Sequence, residues 1–344
     1  ILGVALASAC AGPSATTPLD DAIAFHQRRL REDPSLYPVR AELGEALLER
    51  ARVTHDPRDV QSARENLLGS IEVQENFPAF KAMAALCNFS HRFEEALAWG
   101  DRAFDAYPED TSVTAQRVES LLGLGRLDDA ETLLARTTTP APDFFLTAAR
   151  ARLLIARGDI LGAVAAFEQA ADLARGQRAS TLEVWARVSS AAAYLDTGQP
   201  ALAEPYLTAA AAIDPASPLL RVHQAEFLAA TGKPGDAMAM YDSLITQLRD
   251  PVLHAAAFRL ARDIGERESA DRHFRATEAG MRRAIDAGEV YSLESLARLY
   301  ADADRNLDEA RELARRNIEY KRDADAVDLL RRLEASLDPE RSAR

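Results

Sequence analysis

An alanine returns along this chain at a nearly fixed interval, and that interval limits the fold more than any other feature. Ala96, Ala130, Ala163, Ala203, Ala237, Ala270 and Ala310 are spaced 34, 33, 40, 34, 33 and 40 residues apart. Each follows a turn, at His91, Gly125, Gly158, Gly198, Gly232, Gly265 and Asn306. Four residues after each alanine stand Gly100, Leu134, Phe167, Leu207, Tyr241, Phe274 and Ala314, and Pro108, Pro142, Pro215 and Pro251 close several units. A period of this length marks one supersecondary unit that cannot bury its apolar face alone and must stack on copies of itself. Alanine at a helix crossing lets two antiparallel helices approach closely, and the residue four later fills the gap beside it. Glycine supplies the left-handed residue that ends the first helix, and proline stops the second.

The first helix of each unit carries a small residue followed by a large one, as in Ala191 with Tyr194, Ala225 with Leu228, and Leu296-Ala297 with Tyr300. With the ladder above, this pattern resembles the tetratricopeptide repeat (TPR), over residues 19 to 337. The resemblance implies an all-α, TPR-type α-solenoid: a right-handed superhelix of about eight to nine antiparallel helix pairs, divergent at the N-terminus, with a C-terminal capping helix. Composition agrees, because 47% hydrophobic residues with only 6% aromatic suits stacked helices.

The ends are variants of the same unit. Leu19-Asp20-Asp21-Ala22 with Pro34 matches a second helix, and Leu43-Gly44 with Leu47 a first one. The next ladder alanine, Ala63, arrives seven residues late, after the stretch Arg52 to Asp59. Insertions at 175–183 and 279–289 read as longer loops or helix ends. Asp323 to Leu337, with Ala326, Leu329, Leu330 and Leu333 on one face, reads as the cap, and residues 338–344 as a frayed tail.

Residues 1–9 form an apolar run that ends in small residues, as the end of a secretory signal does. Ala7-Ser8-Ala9-Cys10 resembles a bacterial lipoprotein box, which implies lipidation of Cys10. Residues 10–18 would then be a flexible tether. Gly12 stands where an inner-membrane retention signal would place Asp, which by the same resemblance points to the outer membrane.

Little else carries chemistry. The net charge of −13 argues against phosphate-backbone binding as the main task. No GxxxxGK[ST], GxGxxG, GxSxG or HExxH motif occurs, and two cysteines exclude a disulfide scaffold. The six histidines lack metal-ligand spacing, and Asp302 to Glu309 reads as a helix start rather than a calcium loop, since Leu307 stands where glycine is required. Cys87, among Ala84, Ala85 and Leu86, reads as core. Catalytic, metal and cofactor sites are therefore expected to be absent.

Function falls to the concave groove, which in the resembled family is lined by the first helices. The matching positions carry Lys81, Ala85, Asn88, Glu119, Leu122, Phe145, Arg152, Ile155, Trp185, Leu195, Leu219, Glu226, Arg259 and Arg262. Of the carboxylate clamp by which some TPR proteins hold chaperone C-termini, only Lys81 and Asn88 match. Exposed Trp and Arg are favoured interface anchors, which singles out Trp185 and Arg152, with Lys81, Asn88, Arg259 and Arg262 as further candidates; for Trp185 the alternative is packing against the insertion at 175–183. The reading is a non-enzymatic scaffold that takes a protein or peptide in its groove and touches the membrane only through Cys10. Two other arrangements fit the same residues: a structural subunit of a larger envelope assembly, and a cytoplasmic TPR regulator.

Overall fold

The structure, a computed structural model, describes residues 16–248 and 250–337. Every regular element among them is a helix. A lone helix α1 (Thr16–Glu32) opens the fold. Eight pairs follow: α2 (Tyr37–Thr54) with α3 (Pro57–Val73), α4 (Phe77–Phe89) with α5 (Phe93–Ala106), α6 (Thr111–Gly123) with α7 (Leu127–Arg136), and α8 (Phe144–Arg157) with α9 (Ile160–Gly176). The remaining four are α10 (Ser180–Asp196) with α11 (Pro200–Ala211), α12 (Pro218–Ala230) with α13 (Pro234–Leu248), α14 (Pro251–Asp263) with α15 (Arg267–Asp286), and α16 (Tyr291–Ala303) with α17 (Leu307–Ile318). A final helix α18 (Ala324–Leu337) packs on α17 and α16.

The ladder is the spine of this stack. Ala63, Ala96, Ala130, Ala163, Ala203, Ala237, Ala270 and Ala310 are all buried, six of them with no exposed surface at all. Each sits on the second helix of its pair, where a larger side chain would force the helices apart. Gly125, Gly158, Gly198, Gly232 and Gly265 turn with φ between 70° and 82°, and His91 takes the same left-handed conformation at 56°. The turns close alike: the N–H after the left-handed residue reaches back five residues, as in Arg126 N–H to Leu121 O at 2.8 Å and Arg92 N–H to Cys87 O at 2.8 Å. The last pair departs, with both Asp304 and Asn306 left-handed.

Three departures from the period become visible. The insertions at 175–183 and 279–289 are longer helices, so that α9 runs 17 residues and α15 runs 20. The delay at Arg52 to Asp59 is a longer α2 followed by a turn, with Asp56 capping α3 by accepting from Arg58 N–H. In the opening unit Ile23, not Ala22, is the buried residue of α1, and α1 begins at Thr16, inside the stretch expected as tether. The cap is as expected, with Ala326, Leu329 and Leu333 buried and Asp323 accepting from Ala326 N–H.

Candidate partner-binding groove

First helices of successive pairs touch one another, α2 on α4, α4 on α6, α6 on α8, and α10 on α12, and together they form one face of the solenoid. The polar residues expected on that face lie close to it, but they are engaged. Lys81 Nζ is 2.7 Å from Asp110 Oδ2, the carboxylate that caps α6. Burial raises the pKa of Asp110, yet Lys81 and Ser112 outweigh it and hold the carboxyl below its usual range. Asn88 donates to Gln116 O at 3.0 Å and accepts from Ser120 Oγ at 2.8 Å, so both ends of its amide bind α6. Arg152 forms a two-pronged pair with Glu119 of α6, both contacts at 2.6 Å. Arg262 donates to Asp302 O at 2.6 Å, and Arg259 lies 3.9 Å from Asp302 Oδ2 on α16.

The common thread is that Lys81, Asn88, Arg152, Arg259 and Arg262 each reach toward the next or preceding first helix or its cap. They staple units together, and their charge is matched by carboxylates or carbonyls. Trp185 is not in the groove: it is 4% exposed, held edge-on between Phe144 and Phe167 in the core. Trp185 is the sixth residue of α10, and it packs in one cluster with Ala170, Ala171 and Ala174 of the lengthened α9.

Partly exposed apolar side chains provide what the staples do not. Phe145 and Ile155 of α8, Leu195 of α10 and Leu219 of α12 pack along the margins of the core clusters. Their sequence signal was present, since all four stand at expected groove positions, but aliphatic residues do not stand out in an apolar chain. Cys87 is fully buried, and burial pushes its thiol up to about 12, which leaves it inert.

The tertiary structure also joins histidines that the sequence keeps apart. His254 Nδ1 and His273 Nδ1 are 2.9 Å apart, with ring centroids 5.2 Å apart. That centroid distance is the Nδ1–Nδ1 separation plus two ring radii, so the nitrogens aim at one another and share a proton rather than converge on a metal. Among the described residues no group of three or more His, Cys, Asp or Glu side chains could hold a metal ion, and no helix is long and apolar enough to cross a membrane.

Residues 194–260, from α10 to α14, match the tetratricopeptide repeat family model. No curated protein matches the chain by sequence. Among solved structures it is similar to the human IFIT1 dimer with PPP-AAAA, at 14% identity over 89% of this chain and 78% of that one, with a TM-score of 0.55. A monomeric mutant of IFIT1 with Gppp-AAAA gives 14% identity, 88% and 76% coverage, and a TM-score of 0.57. At that identity the likeness concerns the fold. Ladder, turns, helix pairs and these neighbours agree: the chain is an all-α solenoid of the tetratricopeptide-repeat type.

Proposed function

We propose that this protein is a non-enzymatic scaffold that holds a protein or peptide segment along its first-helix face. The observation that carries this is the row of half-open apolar residues, Phe145, Ile155, Leu195 and Leu219, set among charges already matched within the protein. A preformed surface of this kind binds without an ordering cost of its own. Its partner would present apolar side chains and backbone groups rather than a dense charge of either sign.

The IFIT1 structures contain PPP-AAAA or Gppp-AAAA, so an oligonucleotide is the competing occupant. Matched charges on the face, such as Arg152 with Glu119, and the overall charge of −13 oppose it, because phosphate binding draws on unpaired cations. The test is a photo-crosslinking amino acid placed at Phe145 or Leu219, with the 73%-exposed Leu161 as control. Discrete protein adducts from the first two positions alone support the groove. Equal labelling from Leu161, or adducts to RNA, overturns it.

The compartment belongs to this proposal too. Cys10, the run 1–9 and the tail 338–344 lie outside the described residues. The lipoprotein-like box supports an envelope protein anchored through Cys10, facing the periplasm or the exterior. Intact mass of the membrane-extracted protein beside a Cys10→Ser variant decides it: a diacylglyceryl adduct on a chain starting at Cys10 supports the anchor, and an unmodified chain retaining residues 1–9 removes it.

A further inference from the structure

The solenoid touches itself. Turns at one edge of the N-terminal units meet the opposite edge of the C-terminal units, about 190 to 240 residues further along. Arg322 N–H donates to Gly123 O at 2.7 Å, and Arg92 Nη2 donates to Gly288 O at 2.9 Å. Arg322 Nη1 lies 3.2 Å from Glu94, His55 Nδ1 lies 3.2 Å from Asp250, and the Arg92 guanidinium covers the ring of Tyr320. Between these contacts Tyr291 meets the rings of His55, Phe89 and His91, at centroid distances of 5.8 to 6.4 Å. Gly125 is confined from both sides: its φ is +70°, and a Cβ there would stand 2.5 Å from Arg322 O.

Two of the departures from the repeat period build this seam. His55 belongs to the extension at Arg52 to Asp59, and Gly288 and Glu289 to the insertion at 279–289. A regular array would lack both lips. The seam also differs in kind from the interior. The core cluster spanning Ile23 to Ala96 and the one spanning Phe258 to Leu333 share no residue across it. Its closure buries Ser90 Oγ, His91 Nδ1, Glu289 Oε2 and Ser292 Oγ; Ser90 is set against the Glu289 carboxyl, and His91 Nδ1 is left without a hydrogen-bond partner. Such groups regain water when the surfaces part, which offsets the loss of the contacts.

We propose that this seam is a latch: the turns carrying His55, His91 and Gly125 separate from the segments around Asp250, Gly288 and Arg322 as two intact bodies. The open state widens the way to the first-helix face. Admission of a partner rests on the groove reading; the latch itself does not. A seam held largely by polar contacts, whose buried polar atoms regain water on parting, favours local opening over global unfolding.

The test uses the full chain, small-angle scattering and hydrogen exchange. In Glu94→Arg an arginine faces Arg322 where a carboxylate stood. The expected result is a larger radius of gyration and exchange of the 319–323 amides faster by about tenfold or more, with α9 to α12 unaffected. Adding Arg322→Glu restores the pair with its charges exchanged and should restore compactness, which a purely local helix defect at position 94 would not allow. Arg92→Ala is the second, milder variant, for the case in which Glu94→Arg does not fold. Unchanged scattering and unchanged 319–323 exchange in the folded variants overturn the latch. So does a wild-type protein whose Arg322 amide is as protected as the amides of α10. Groove capture, read by the crosslinks from Phe145, is a separate measurement, so the two readings fail separately.

Discussion

Ala203 and Leu161 show how unequal single residues are in this fold. Ala203 has no exposed surface at the crossing of α10 and α11, while Leu161 is 73% exposed at the start of α9. Ala203→Leu overfills a closed crossing and should cost about 1–3 kcal/mol in chemical denaturation. Leu161→Ser should stay within about 0.5 kcal/mol. Glu294 shows the same inequality in charge. Burial pushes its pKa up, but Lys321 at 2.6 Å and Arg298 at 2.7 Å overcome this and bring it down to about 2. A depressed carboxyl stabilises the fold fully above its ordinary pKa of 4.5 and loses that contribution as pH falls toward 2. The urea midpoint should therefore drop on acidification below about pH 4.5. Glu294→Gln should be less stable at pH 7 and show a shallower acid limb; an equally steep limb would mean the pair is not what acid breaks.

At the scale of helices and turns, conformation rather than contact sets the energetics. Gly158 turns with φ +82° and has nothing within 4 Å of where a Cβ would stand. Gly158→Ala thus measures the left-handed penalty alone, about 1 kcal/mol. Asp304 is the converse: it is exposed, left-handed at φ 50°, and ends α16 where other units use glycine. Asp304→Gly should stabilise by about 0.5 kcal/mol, read as a higher denaturation midpoint. A destabilised Asp304→Gly would show that the carboxylate makes a contact worth more than the strain. His91 is the one left-handed ladder turn with a buried role. Burial, with Lys321 nearby, drives its pKa to about 3, so acid below about pH 6.5 works against its neutral, enclosed ring. His91→Phe keeps the aromatic contact with Tyr291 and should flatten stability between about pH 6.5 and 4.5.

The whole molecule adds a coupling that a linear array lacks. Stacked repeats contact only their neighbours, so an open solenoid unzips from its ends in steps. Here the segment between α17 and α18 leans on α5 and on the end of α6, so the last repeat supports the second and third. Unfolding in guanidinium should be steeper in the wild type than in Glu94→Arg, with the variant showing a lower m value and separated transitions by circular dichroism and tryptophan fluorescence. Identical m values would place the seam outside the cooperative unit.

The sequence by itself determined the unit: the helix pair, its alanine crossing, its left-handed turn, the apolar face of the cap and the buried state of Cys87. These follow from a period of about 34 residues and from side-chain volume, both local properties that a chain writes along its own length. It also singled out Phe145, Ile155, Leu195 and Leu219, which the structure leaves partly exposed at the margins of the core clusters, because register within a helix is local too. It did not reveal that Lys81, Asn88, Arg152, Arg259 and Arg262 are staples, since their partners sit on neighbouring first helices about 30 to 40 residues away. Nor did it decide whether Trp185 faces the groove or packs against the insertion at 175–183; the structure buries it beside the lengthened α9. Least legible was the seam. Whether two ends of a solenoid meet depends on the sum of small rotations between units, and no single repeat encodes that sum. Only the folded stack brings His55 to Asp250 and Arg322 to Gly123.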